Sequence, residues 1–205
     1  MRAYNLSIIY SNYKTNMIQG FSQKDILLVD RALEIAEDSA CNHYHISGSN
    51  WKKYGFEVSP LAHLQEEEIT DQGLAQISRY VFAPYQWMPA PCLRDYYRVC
   101  LQDHNILKVV ERGEGLELFP LMIYILTHEL VHIIRFRKFF QRFDVSCEER
   151  EIEESKVHST TFDILRPIKK IDLQPIFDSY VGHRCPNAGA GSPTRNVGAG
   201  SHTRP

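Results

Sequence analysis

Two histidines and a glutamate stand at a spacing that suits metal-assisted hydrolysis. His128, Glu129 and His132 form an HExxH pattern within an apolar run. On an α-helix, residues four apart lie on the same face one turn from each other, so both imidazoles can reach one metal ion. The glutamate borders the same groove, where it can take a proton from water without binding the metal. The pattern therefore predicts a metal site with Glu129 as the catalytic base.

The stretch that carries this motif, Phe119 to Phe140, is the most apolar of the chain. A membrane span is one interpretation, but the ionisable groups in its middle would be costly in lipid. A buried helix that carries a polar site fits better, because a polar cluster within a core needs a partner. Two ordinary histidines on a solvated helix face are the remaining alternative.

A catalytic zinc site needs a third protein ligand and one open position. The segment Glu148 to Leu165 is predicted to form a second helix, acidic at its start and apolar at its end. Three of its residues, spaced at i, i+3 and i+7, share one side and offer ligand atoms: Glu151, Glu154 and His158. The spacing alone leaves all three open.

An HExxH helix followed by a glutamate on a second helix resembles the zincin metallopeptidases, in particular small members of the gluzincin branch. In that branch the third ligand begins an ExxxD-type motif. Here Glu154 follows His132 by 22 residues and begins an ExxxH sequence that ends at His158. The metzincin pattern HExxHxxGxxH is absent, because Arg135 stands where its glycine would be. The resemblance covers about Ile106 to Leu165.

The resemblance implies an α+β, zincin-like domain with a small β-sheet or hairpin packed on the HExxH helix and a second, ligand-bearing helix. It implies that Glu129 is catalytic, that a peptide or protein is the substrate, and that Zn²⁺ is held by His128, His132 and Glu154. At the position of the family's aspartate, His158 either orients a zinc-bound histidine or ligates the metal itself. A catalytically inactive zincin-like domain that binds or regulates a partner is the alternative.

Two further roles follow from the same resemblance. The family often keeps an oxyanion-stabilising donor downstream of the ligand helix, where Tyr180 and His183 are the candidates. The strand before the motif helix often binds extended substrate by edge pairing. Ile106 to Glu111 is the candidate for that strand.

The remaining sequence predicts the elements around the site. Tyr96 to Gln102 and Ile106 to Glu111 are β-prone runs joined by turn residues, which favours a hairpin. Ser22 with Asp25 predicts the start of a helix over about Lys24 to Ser39. The other expected elements are a strand at Tyr4 to Tyr10, an apolar run around Phe56 to Leu61, a helix over about Glu68 to Val81 and a short amphipathic segment at Ile171 to Val181.

The end of the chain differs in kind from the rest. Asn187 to Arg195 and Asn196 to Arg204 are two copies of a nine-residue repeat, rich in glycine, alanine and serine and without an apolar face. Two such copies cannot build a solenoid. We therefore expect one domain over residues 1–183 and a disordered tail over residues 184–205.

Composition limits the possible partners and compartment. The chain has 205 residues with 23 basic and 25 acidic side chains, so its net charge of -2 argues against a nucleic-acid partner. Its five cysteines are irregularly spaced and predict no disulfide framework or thiolate zinc site. The N-terminus lacks the pattern of a signal peptide. We therefore expect a cytoplasmic protein without a membrane span.

His43 and His45 alternate along the chain, which would suit one face of a strand and gives a second metal-site hypothesis.

Overall fold

Helices dominate the computed structural model, which describes residues 18–82, 94–112, 115–138 and 146–181. The helices are α1 (Gln23–Tyr44), α2 (Gly48–Trp51), α3 (Asp103–Glu111), α4 (Leu118–Lys138), α5 (Cys147–Leu165) and α6 (Gln174–Ser179). The strands are β1 (Phe56–Ser59), β2 (Ala75–Phe82) and β3 (Arg94–Leu101). Short 3-10 turns cover Lys52–Tyr54, Leu61–His63 and Glu66–Glu68. The fold is thus mixed α+β with a small sheet.

Helix α4 is the centre of the core, as its all-round apolar sequence predicts. Its buried residues include Leu121, Leu126 and Ile133, each fully enclosed. The helix is long and apolar enough to cross a membrane, yet 72% of its most apolar window is buried within the domain. That burial is consistent with the core helix of a soluble protein.

Helix α1 begins as predicted and packs on α4. The Ser22 hydroxyl accepts a hydrogen bond from the Asp25 backbone, and the Asp25 carboxylate accepts one from the Ser22 backbone, which completes a capping box. The helix runs on past the expected Ser39 and ends at His45, whose φ of 53° is left-handed. Its buried face is made of small residues, which let the two helices approach closely: Val29, Ala32, Ala36 and Ala40.

The sheet has the strand order β1-β3-β2. β1 runs parallel to β3, with Phe56 opposite Tyr97, and β2 runs antiparallel to β3, with Ile77 opposite Val99. The predicted small sheet is therefore present, and β2 contacts α4. The first of its strands falls within the apolar run expected around Phe56 to Leu61.

The helix predicted over Glu68 to Val81 is wrong. Only a 3-10 turn at Glu66–Glu68 is helical there, and the chain then forms strand β2. Gly73 adopts a left-handed φ of 79°, which ends any helical continuation. The sequence after it alternates and carries β-branched and aromatic residues, so pairing with β3 prevails over helical periodicity.

The hairpin predicted from Tyr96 to Gln102 and Ile106 to Glu111 is also wrong: the first run lies in strand β3, but the second is part of helix α3. The Asp103 carboxylate accepts hydrogen bonds from the backbone of Phe21 (3.0 Å) and of Leu61 (3.1 Å). The Asn105 side chain donates to the carbonyl oxygens of Thr70 and Gly73. Because Asp103 and Asn105 make these long-range hydrogen bonds, they do not form the predicted turn. The expected substrate-pairing strand is thus absent at this position.

Other expectations have mixed outcomes. Helix α6 lies within the predicted amphipathic segment from Ile171 to Val181. His43 lies in the last turn of α1 and His45 caps it, so the two do not alternate on a strand face. The strand expected at Tyr4 to Tyr10 and the tail over residues 184–205 lie outside the described residues.

Candidate metal centre

Helix α4 brings the two motif histidines to one point, as the i, i+4 spacing requires. The Nε2 atoms of His128 and His132 are 3.2 Å apart. Both side chains are largely buried, at 9% and 15% exposure. Two imidazole nitrogens that face each other inside an apolar helix bundle need a shared partner.

That partner comes from helix α5, which packs on α4. The Glu154 carboxylate meets both histidines: Oε1 is 2.8 Å from Nε2 of His128, and Oε2 is 3.2 Å from Nε2 of His132. One carboxylate therefore joins the two imidazoles. The structure brings together the three side chains that the sequence predicted as ligands.

Local interactions hold α5 in this position. Ser146 and Glu149 form a capping box that fixes the start of the helix. One residue before Glu154, the mostly buried Glu153 carboxylate pairs with the Arg135 guanidinium on α4. The packing of Val157 and Leu165 into the core then sets which side of α5 faces the histidines.

His158 lies on the same side of α5, one turn beyond Glu154. Its Nε2 is 3.4 Å from Glu154 Oε1, and its Nδ1 is 2.8 Å from the Tyr124 hydroxyl. The donor atoms of His128, Glu154 and His158 all lie within 4.8 Å of one another. Glu151, the other ligand that the sequence left open, is exposed. Glu154 and His158 are therefore the α5 residues at the cluster.

The buried carboxylate of Glu129 lies beside the histidines. Burial raises the pKa of Glu129 to about 7, and the negative Glu154 adds to that effect while His132 opposes it. A carboxyl group with such a pKa can both accept and return a proton near neutral pH. This is the property that a general base and acid needs.

The pKa values of His128, His132 and Glu154 are also shifted. Burial lowers the pKa of His128 to about 4. Burial would also lower the pKa of His132, but the neighbouring carboxylates of Glu154 and Glu129 raise it overall. Burial alone would raise the pKa of Glu154, yet hydrogen bonds from the surrounding histidines hold it well below its usual range. The cluster thus contains a firmly ionised carboxylate beside a neutral imidazole at His128.

The donor set fits a zinc ion. Imidazole nitrogens and a carboxylate are the ligands that zinc takes in proteins, and donors about 2.0–2.2 Å from one tetrahedral ion are roughly 3.3–3.6 Å apart. The two Nε2 atoms are 3.2 Å apart, and Glu154 places Oε1 2.8 Å from His128 and Oε2 3.2 Å from His132, each somewhat closer than that spacing. A single ion among them would replace these close polar contacts with ligand bonds.

Two tyrosines complete the surroundings, and one of them was missed in the sequence. Tyr124 precedes His128 by one helical turn, so helical periodicity could have placed it on the same face. Its ring stacks on that of Tyr180, with centroids 4.7 Å apart, and Tyr180 also stacks on His158. Tyr180, predicted as an oxyanion donor, thus lies against the cluster, whereas His183 lies outside the described residues.

Comparison with protein families, curated proteins and solved structures gives no further guide. No family model, curated protein or solved structure matches the chain.

Because the Glu129 carboxyl is buried, we expect its replacement by an uncharged side chain to stabilise the protein, and to do so more at high pH than at low pH. A folded-state pKa raised from 4.5 to about 7 means that the native state holds this proton more tightly than the unfolded state. The contribution of Glu129 to stability therefore falls as pH rises between these two values. In chelator-treated protein, Glu129→Gln should unfold with a free energy about 3 kcal/mol above wild type at about pH 8, and with little difference at about pH 4.

Urea unfolding at both pH values measures this difference. The difference between variant and wild type reports the Glu129 carboxyl together with its coupling to His132 and Glu154. A difference that is the same at both pH values would contradict a raised pKa for Glu129.

Proposed function

We propose that the chain is a zinc-dependent metallopeptidase that hydrolyses peptide bonds. The observation that supports this most directly is the convergence of one carboxylate, from Glu154, on the Nε2 atoms of His128 and His132, at 2.8 and 3.2 Å. The buried Glu129 neighbours these groups, and in this proposal it acts on a water molecule rather than as a ligand. Four residues thus supply the ligands and the base that HExxH hydrolysis requires.

In the proposed mechanism His128, His132 and Glu154 hold the ion. When bound, zinc would supply Lewis acidity for the scissile carbonyl and for the attacking water. Glu129 would accept the proton of the attacking water and pass it to the leaving amine. Burial of His128, His132 and Glu129 limits the screening of their charges by bulk water, while the Glu154 side chain remains 42% exposed.

A zincin-like fold, with α4 and α5 as its ligand-bearing helices and the three-stranded sheet beside α4, is part of this proposal. So is a cytoplasmic location, with a peptide or protein as the partner and no nucleic acid. The stacked Tyr180 is the candidate for stabilising the oxyanion. The strand predicted to pair with substrate does not form, since Ile106 to Glu111 is helical.

A catalytically inactive, metal-binding domain that regulates a partner is the second candidate. The observation that favours it is His158, which adds a further nitrogen within 3.4 Å of the Glu154 carboxylate. Structural zinc sites have four protein ligands, whereas catalytic ones keep a position open. The two candidates share the metal site and differ in whether turnover depends on Glu129.

Zinc content tests the site that both candidates require. Purified wild type should contain about one zinc ion per chain, and His128→Ala should lose it, because removing one of the paired imidazoles breaks the donor set. Elemental analysis after dialysis against buffered zinc measures both. The matched control is His63→Ala, since His63 is an exposed histidine on a 3-10 turn and should leave the zinc content unchanged. Wild type without metal would overturn the proposal.

A further inference from the structure

His158 is the last residue of the ExxxH sequence that begins at Glu154, where the ExxxD-type motif has its aspartate. Its ring has two possible roles. It can bond to the outer nitrogen of a ligand histidine and orient it, or it can turn a nitrogen of its own towards the ion. The two tasks make opposite demands on the atoms around His128, whose Nε2 faces Glu154. The contacts of each ring nitrogen therefore decide between them.

The outer nitrogen of His128 argues against the orienting task. Nδ1 of His128 is buried and has no hydrogen-bond partner among the residues that the structure describes. An orienting His158 would have satisfied this atom. Instead, the Nε2 of His158 approaches Oε1 of Glu154, the same oxygen that Nε2 of His128 approaches. His158 thus faces the interior of the cluster, on the side of the ligand atoms.

The other nitrogen of His158 has the partner that a metal-bound imidazole needs. Its Nδ1 lies 2.8 Å from the Tyr124 hydroxyl, and Tyr124 is 2% exposed. The Nε2–H of His158 faces the Glu154 carboxylate; for Nε2 to bind an ion this hydrogen must leave, and the Tyr124 hydroxyl can then accept a hydrogen from Nδ1, which frees the Nε2 lone pair for the ion. Stacking of the ring on Tyr180, at 5.6 Å between centroids, fixes its plane.

We propose that His158 is a fourth protein ligand of the metal, which in the resting protein occupies the coordination position that water would otherwise take. The proposal rests on the metal site of the proposed function and deepens it by assigning a regulatory ligand. Its observations are the 3.4 Å approach of Nε2 to Glu154 and the Tyr124 bond behind the ring. Hydrolysis would then require His158 to leave the ion or to share it with water.

Cobalt(II) binding tests this ligand without depending on activity. Full-length wild type, His158→Ala and His158→Gln are stripped with chelator and titrated with Co²⁺, with visible absorption as the readout. Loss of a ligand should change the positions and intensities of the Co²⁺ absorption bands. It should also lower the Co²⁺ affinity by more than about tenfold, because loss of a residue that only hydrogen-bonds to a ligand already costs about that much. In His158→Ala alone, added imidazole should restore the wild-type spectrum by entering the vacated position.

The possible outcomes distinguish failure of this proposal from failure of the proposed metal site. If wild type binds Co²⁺, His128→Ala does not, and both His158 variants match wild type in affinity and spectrum, then His158 is no ligand and only this inference fails. If wild type binds no Co²⁺, both proposals fail. Circular dichroism of the stripped variants shows whether they fold, and His158→Gln preserves side-chain bulk and polarity where alanine would leave a cavity.

Discussion

Glu129→Gln is expected to abolish measurable peptide hydrolysis while leaving the bound zinc in place. General-base catalysis contributes about 100- to 10,000-fold to rate, and an amide has no basic site near neutral pH with which to replace it. The ligand atoms of His128, His132 and Glu154 are untouched by the change. Loss of hydrolysis in a variant that still binds zinc would therefore identify Glu129 as the base. Mass spectrometry of a mixed peptide pool, with elemental analysis of the same samples, measures both.

The control for this experiment is Glu67→Gln, which makes the same chemical change at an exposed glutamate. It should cleave the pool as wild type does. Full activity in Glu129→Gln would show that another group is the base. If wild type itself cleaves nothing while holding zinc, the peptidase proposal fails and the inactive, partner-binding candidate takes its place.

The parts of the site that local spacing determines could be predicted from the sequence. The i, i+4 rule is enough to place the imidazoles of His128 and His132 together, and the structure has their Nε2 atoms 3.2 Å apart. Helical periodicity likewise puts Glu154 and His158 on one side of α5. It could not choose among the candidate ligands there, because that choice depends on how α5 is rotated against α4.

That rotation depends on contacts between residues far apart in the sequence. The Arg135–Glu153 pair and the burial of Val157 settle it, and neither has a signature in local sequence. The pKa of Glu129 has the same origin, because the burial that raises it exists only once the core is assembled. Such cooperative properties become visible only in three dimensions.

The two wrong secondary-structure predictions have a common cause. Both the Glu68 to Val81 segment and the Ile106 to Glu111 segment carry apolar residues that satisfy a helical or a strand period over a short run. The outcome was decided elsewhere, by pairing of β2 with β3 in the first case. In the second it was decided by the bonds that Asp103 makes to Phe21 and Leu61. Long-range hydrogen bonds overrode a weak local preference.

Glu154→Gln is expected to weaken zinc binding strongly. Its carboxylate contacts both motif histidines and keeps its negative charge because its pKa lies far below the usual range. Losing an outer partner of a metal ligand typically costs about 10- to 100-fold in affinity, so loss of a charged ligand should exceed about 100-fold. Competition for zinc with a chromogenic chelator measures the change. Thermal unfolding should agree, with zinc raising the midpoint of wild type but not of the variant.

The matched control is Glu151→Gln, one helical turn away on α5. Its side chain is exposed, whereas Glu154 lies between the two histidines, so this variant should bind zinc as wild type does. The pair thereby tests the ligand choice that the sequence left open. If Glu151→Gln loses the metal and Glu154→Gln keeps it, α5 must rotate on binding zinc, and the ligand set drawn from this structure is wrong. If only Glu154→Gln loses the metal, the carboxylate between the histidines is the third ligand.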